Sequence, residues 1–282
     1  PQNRPAKNYQ PFGALESSAM AGWRRPCSFV WFGLSSAMVD LWLNNTLFEP
    51  IAALAFPTIC QICEKRQAEP SNGYVCAQCL RDVHQIKPPW CNQCGIPLDN
   101  ECLSASTCFN CHDLELKFER ARALFAARGL ALEIVHRFKY EPADFYEPLI
   151  QGWLRTAIPF PMQSHDWIVP IPLHPMKKRE RGFNQAERIA EPVSIILGKP
   201  LITNAIERVK NTETQTCLPT KMRFKNVEDA FAANNNHMLN GSALLIDDVM
   251  TTGATASACA QALKMIGAKK VDVLTLTRGL LA

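Results

Sequence analysis

The stretch Ala243–Thr255, ALLIDDVMTTGAT, decides how the chain is read. Its opening run, Ala243–Ile246, is apolar and of a length suited to a short buried strand. Two adjacent carboxylates, Asp247 and Asp248, close that strand. After Val249 and Met250 comes a small, hydroxyl-rich turn, Thr251-Thr252-Gly253-Ala254-Thr255, which opens into a helical pattern. Cys259, Leu263 and Ile266 recur on one helical face, which makes Cys259 a core residue, and Gly267 ends the helix. The acids could hold a divalent metal, accept hydrogen bonds from a vicinal diol, or act as acid and base. The turn narrows the choice. Backbone N–H groups and threonine hydroxyls at a helix N-terminus suit a monoester phosphate, and Gly253 lets the backbone come close. A diol beside a phosphate is a ribose 5-phosphate.

Working outward, strand-like and helix-like segments alternate. Arg120–Ala127 reads as a strand, Gly129–Lys139 as a helix and Glu147–Ala157 as a second helix. Asp166–Ile171 reads as a short strand with a stiff exit imposed by Pro170 and Pro172. Asn184–Leu197 is helical, with a kink or a break expected at Pro192. Leu201–Val209 is a further candidate strand, Lys210–Pro219 a polar loop, Phe224–Ala233 an ordered segment and Val271–Leu276 the last strand. The alternation predicts an α/β fold with a parallel sheet flanked by helices, whose ligands bind at the carboxyl ends of the strands. One basic segment stands out. Lys177, Lys178, Arg179 and Arg181 precede Gly182 at a strand-to-helix junction, an arrangement suited to an anion.

The chain has 282 residues, 47% hydrophobic and 20% charged, with a formal net charge of +4. That is an ordinary globular balance with room for one large and one smaller domain. The mild basicity permits an anionic ligand or a nucleic acid without requiring either. The 12 cysteines are the outlier. Eight form four C-x-x-C pairs: Cys60/Cys63, Cys76/Cys79, Cys91/Cys94 and Cys108/Cys111. Confined to one region of a long chain, they point to metal in a reducing, cytoplasmic setting rather than to a disulfide scaffold. Two consecutive knuckles close a four-thiolate site, and sequential pairing closes the shorter loops, giving up to two structural Zn2+ ions. Cys102 reads as a bystander, and adjacent cysteines make His84 and His112 unnecessary as ligands.

Residues 1–37 show no lasting periodicity and read as a poorly ordered extension, with Met38 a plausible natural start. Residues 38–57 read as an amphipathic lead-in helix. Its expected role is packing on the next domain, with weak peripheral membrane contact as the lesser alternative. No signal peptide and no transmembrane segment are recognised.

The central stretch resembles the phosphoribosyl pyrophosphate (PRPP) motif of type I phosphoribosyltransferases: an apolar strand, two acids, then T-x-G-x-T. Four C-x-x-C pairs, FKY (Phe138–Tyr140), VPIPLHP (Val169–Pro175), RERGFNQAE (Arg179–Glu187) and IDDVMTTGAT, in this order, resemble the ComF family, also called GntX-like. These competence-associated proteins combine a double zinc ribbon with a phosphoribosyltransferase domain. The resemblance implies a ribbon over 58–114 and a phosphoribosyltransferase-like domain over 117–282. It implies that Asp247 and Asp248 hold the ribose hydroxyls, and that Thr251, Thr252, Gly253, Ala254 and Thr255 hold the 5-phosphate. Lys177, Lys178, Arg179 and Arg181 would face the pyrophosphate, with Mg2+. Arg208, Gln215 and Arg223 fit the family's pattern in the following loop region.

Two functions are then open. One is a PRPP-dependent transferase, with Asp247 and Asp248 as catalytic residues, acting in DNA uptake during natural transformation. The other is a non-catalytic adaptor that binds single-stranded DNA, contacts other competence proteins and uses PRPP only as a regulatory ligand. For DNA, the candidate cations are Arg120, Arg122, Arg128, Arg137 and Lys139, and the candidate stacking rings are Tyr74, Trp90 and Phe109.

Overall fold

The computed structural model describes residues 58–98, 108–140, 146–159, 162, 164–212 and 219–280. All of these lie in one compact unit, Ala53–Ala282. The expected extension over 1–37, the lead-in helix over 38–57, Cys102 and Gln215 fall outside the described residues.

Four parallel strands form the central sheet in the order β1-β6-β5-β2: β1 (Arg120–Ala126), β2 (Trp167–Pro170), β5 (Gly241–Met250) and β6 (Ala268–Arg278). The sequence explains why β5 and β6 are central. Ala243–Ile246 and Val271–Leu276 are buried without alternation, as strands covered by helices on both faces must be. Helices α2 (Gly129–Tyr140), α3 (Glu147–Ala157), α4 (Pro175–Arg181), α5 (Gln185–Leu197), α6 (Thr220–Val227) and α7 (Ala254–Met265) flank the sheet, and β3 (Ile206–Arg208) pairs antiparallel with β4 (Phe231–Ala233). Cys259, Leu263 and Ile266 are buried, and Gly267 follows the helix at φ 97.

Helix α5 and strands β3, β5 and β6 differ from expectation. Helix α5 runs unbroken through Pro192. Its buried face, which includes Ala186, Ile189, Ala190 and Val193, packs on β2 and β5, and that burial outweighs the hydrogen bond a proline removes. Strand β3 is confined to Ile206–Arg208, while Leu201 makes only an isolated parallel bridge to Ile168 at the sheet edge. Strands β5 and β6 continue past their apolar runs, because pairing persists from Asp247–Thr275 to Met250–Arg278. The carboxylates therefore lie within the strand rather than after it.

The cysteine-rich region carries a short helix, α1 (Ala77–Leu80), and packs directly on the sheet domain. Ala121 N–H donates to Gln93 O at 2.6 Å, and Ile86 N–H to Leu124 O at 2.9 Å. Gly95, at φ +70, sits so close to β1 that a Cβ there would lie 2.3 Å from Ala121 O. Among the described residues no helix is long and apolar enough to cross a membrane.

Candidate functional site

The four C-x-x-C pairs close into two tetrads, Cys60/Cys63/Cys76/Cys79 and Cys91/Cys94/Cys108/Cys111, each with its sulfurs within 4.8 Å of one another. Four thiolates about 2.3 Å from a zinc ion stand about 3.8 Å apart at the corners of a tetrahedron. The observed Sγ–Sγ distances are 3.9 Å for Cys60–Cys79, Cys63–Cys76 and Cys91–Cys111, and 3.5 Å for Cys94–Cys108. The donor set and its spacing fit structural Zn2+. Four thiolate ligands leave no open position for catalysis. The second tetrad is the better buried, with all four cysteines inside against three of four in the first. A hydrogen bond with Cys111 and the nearby Arg278 guanidinium outweigh burial and hold Cys94 at about 4, whereas burial pushes Cys108 up to about 11.

At the carboxyl ends of β2 and β5 lies a cavity of about 170 Å³. Asp247, Asp248 and Lys139 line it together with Lys177, Arg181 and Arg208. A second hollow of about 50 Å³ adjoins it, lined by Thr251, Gly253, Ala254, Thr255 and Thr275. Asp247 and Thr255 line both, so the cleft has a basic lobe and a turn lobe with a carboxylate between them. A larger cavity of about 530 Å³ opens beside α6 and α7. It mixes Glu115, Glu228 and Asp229 with Lys117 and Lys225 and holds neither the acid pair nor the cation cluster, so chemistry rather than volume selects the smaller cleft.

The acids reach the cleft because each turns onto its own backbone. Asp247 Oδ1 accepts from Asp248 N–H at 2.9 Å, and Asp248 Oδ1 accepts from Val249 N–H at 2.8 Å. Asp248 Oδ2 lies 2.8 Å from Lys139 Nζ, with the two side chains 12% and 24% exposed. Burial and the adjacent Asp248 carboxylate push the Asp247 carboxyl well above its ordinary range. Burial would lower the Lys139 ammonium, but Asp248 and Asp247 outweigh it and raise it. Helix α2 is held in place by Gln185, whose Nε2 meets Lys139 O at 3.5 Å, while Asn184 caps α5 and donates to Ile171 O at 3.0 Å. The FKY, VPIPLHP and RERGFNQAE segments thus converge on the acid pair.

The basic segment is sorted by helical geometry. Lys177 and Arg181, four residues apart on α4, line the cleft with Arg208. Lys178 turns outward to Glu187 at 2.9 Å and Arg179 is exposed, so neither faces the cleft as expected. Burial, then Arg208, then Arg181 lower the Lys177 ammonium, and burial lowers the Arg208 guanidinium. Cations crowded in this way are stabilised by a bound polyanion. In the turn, Gly253 takes φ 87, and a Cβ there would meet the Phe118 ring at 3.3 Å. Thr252 is buried and its Oγ1 accepts from Ala254 N–H at 3.4 Å, so its hydroxyl serves the turn itself. Arg223 reaches in from α6, donating to Thr251 Oγ1 at 3.1 Å.

Four of the five cations expected to hold DNA are engaged within the fold. Arg120 pairs with Asp272 at 2.7 Å, and Arg122 is buried beneath the Trp90 ring and donates to Cys91 O and Asn92 O. Arg137 pairs with Glu133 at 2.7 Å, and Lys139 belongs to the acid pair. Arg128 and the Phe109 ring are exposed. Sequence reasoning missed the partnership of Lys139 with Asp248 and the burial of Arg278 beside the second tetrad. No local pattern signals either, since each partnership joins residues far apart in the chain.

Residues 51–112 match the double zinc ribbon domain. Over 236 residues the chain is 30% identical to the DNA utilization protein YhgH of Salmonella typhimurium, covering 80% of this chain and 100% of that protein. It is 29% identical over 218 residues to competence protein F of Haemophilus influenzae, covering 73% and 91%. Competence protein ComFC of Bacillus subtilis is 29% identical over 216 residues, covering 72% and 84%. Among solved structures, a purine phosphoribosyltransferase from Pyrococcus horikoshii aligns with 46% of this chain and 80% of its own, at a TM-score of 0.29 and 16% identity.

Proposed function

Because this chain belongs to the family of the DNA utilization protein YhgH and competence protein F, we propose that it is a PRPP-binding protein of the phosphoribosyltransferase type that serves DNA uptake or use. The observation that carries the reading is the two-lobed cleft with Asp247 and Asp248 at its centre. PRPP has a monoester phosphate at one end, a vicinal diol in the middle and a pyrophosphate at the other. The Thr251–Thr255 turn takes the 5-phosphate through backbone N–H groups and hydroxyls. Asp247 and Asp248 accept from the ribose hydroxyls. Lys177, Arg181 and Arg208 take the pyrophosphate, and bound Mg2+ supplies further neutralisation of its charge.

Transfer breaks the bond between C1 and the pyrophosphate oxygen through an oxocarbenium-like state. The pyrophosphate leaves with the electron pair, and an acceptor adds to C1. Such a reaction asks for positioning and charge stabilisation more than for covalent catalysis. The single-stranded-DNA adaptor is the less favoured reading, because Arg120, Arg122, Arg137 and Lys139 already have partners in the fold.

Titration calorimetry with PRPP, ribose 5-phosphate and pyrophosphate, each with Mg2+, tests the reading. PRPP is expected to bind more tightly than either fragment, since only it fills both lobes. Equal affinity for PRPP and ribose 5-phosphate would remove the basic lobe from the account. Release of pyrophosphate from PRPP in the presence of candidate acceptors separates the transferase from the adaptor.

A further inference from the structure

Arg278 closes β6, and its side chain is 1% exposed. Its Nε donates to Cys94 O at 3.1 Å. Its Nη1 donates to Met250 O at 3.1 Å, to Thr251 O, and to Gly279 O at 3.1 Å. One planar guanidinium therefore ties a cysteine knuckle to the first residues of the phosphate turn. We infer that Arg278 is the positioning residue through which the second cysteine tetrad holds the Thr251–Thr255 turn in its binding shape.

The path is stiff at each step. A metal on the tetrad fixes the knuckle containing Cys91 and Cys94, and with it the direction of Cys94 O. The knuckle has no slack against β1, because a Cβ at Gly95 would lie 2.3 Å from Ala121 O. A guanidinium has its donors in a fixed fork, so aiming Nε at Cys94 O also sets where Nη1 points. Two strand-end carbonyls, of Met250 and Thr251, are thereby held beside the turn. The charge also suits the place. Zinc with four thiolates carries a net charge of about −2, and the Arg278 and Arg122 guanidiniums are both buried against the second tetrad's knuckle. The first tetrad differs: Arg66, whose Nη1 lies 4.0 Å from Cys63 Sγ, is exposed. Two tetrads of the same chemistry thus have different jobs, and the second is part of the ligand site. The ligand involved rests on the PRPP reading above; the coupling between tetrad and turn does not.

The test uses the full chain and hydrogen exchange of backbone amides over residues 250–256, in wild type, Arg278→Lys, Cys108→Ser and Cys63→Ser. Lysine keeps the charge but has one nitrogen and cannot span both carbonyl sets. Arg278→Lys and Cys108→Ser are expected to speed exchange in that segment about tenfold or more, and Cys63→Ser by less than about twofold. Coupling is reciprocal. PRPP with Mg2+ should therefore slow zinc release to a chromogenic chelator from the second tetrad, read in Cys63→Ser, and should not do so once Arg278→Lys is added. Unchanged exchange over 250–256 in Arg278→Lys would overturn the inference, as would equal loosening by Cys63→Ser and Cys108→Ser. If Arg278→Lys does not fold, the contrast between the two cysteine variants decides. If wild type fails to bind PRPP while the exchange pattern holds, the ligand is wrong and the positioning role stands.

Discussion

Replacing Lys139 by methionine removes the ammonium 2.8 Å from Asp248 Oδ2 and leaves two adjacent carboxylates in the cleft. At that separation the gross attraction is about 6 kcal/mol for an effective dielectric of about 20. Much of it is offset by the desolvation of both groups, and truncating one partner of a buried pair costs about 3–5 kcal/mol. Proton uptake sets a ceiling. Keeping one carboxyl protonated at pH 7, about three units above its ordinary pKa, costs about 4 kcal/mol. The expected loss at pH 7 is therefore about 2–4 kcal/mol, or on the order of 10 °C in Tm for a domain of this size. The sign with pH follows from proton binding. In the variant the folded state holds a carboxyl proton that the unfolded chain has released, so stability falls as pH rises through the acid range and above. Thermal unfolding of wild type and Lys139→Met between pH 4 and 8 reads this directly, with the gap widening toward pH 8. A Tm unchanged at pH 7, or a gap independent of pH, would refute the pairing of Lys139 with Asp248 as a cause of stability.

Asp247→Asn is expected to raise Tm, because burial and Asp248 hold the native carboxyl above its ordinary range. Its folded pKa exceeds its unfolded one, so its charge costs stability increasingly as pH rises above about 4, and the gain on substitution should grow from pH 4 to pH 8. Charge reversal at the cleft, Lys177→Glu or Arg181→Glu, should weaken PRPP binding by roughly tenfold or more in calorimetry, while Lys178→Glu, which turns toward Glu187, should change it by less than about threefold. Metal analysis should find two zinc ions per chain, one for each tetrad, and their removal should lower Tm because ligand binding to the folded state alone is folding energy.

Strands β1, β2, β5 and β6 and helices α2, α3, α5 and α7 were legible from short apolar runs and helical spacing, whereas α4 was read as a basic junction because it buries no residue. The pairing of the cysteines was legible because short loops close more readily than long ones. The direction of individual side chains was not. Lys178 and Arg179 read like Lys177 and Arg181 in a basic run, and only the turn of α4 sorts them into cleft and solvent. Pro192 reads as a break because the packing of α5 against the sheet is a tertiary fact. The extent of β5 was underestimated because two carboxylates look like a strand end, whereas the pairing of Asp247 with Thr275 and of Met250 with Arg278 is nonlocal. The Lys139–Asp248 pair joins residues 109 positions apart, and no local pattern announces it.

The central claim is that Asp247 and Asp248 hold the sugar of PRPP between two anion sites. Calorimetry of PRPP with Mg2+ against wild type and the double variant Asp247→Asn/Asp248→Asn tests it most directly, with zinc content and Tm recorded for both. The account predicts binding to wild type and its loss in a double variant that stays folded and keeps both zinc ions. Equal affinity in the two proteins would contradict it.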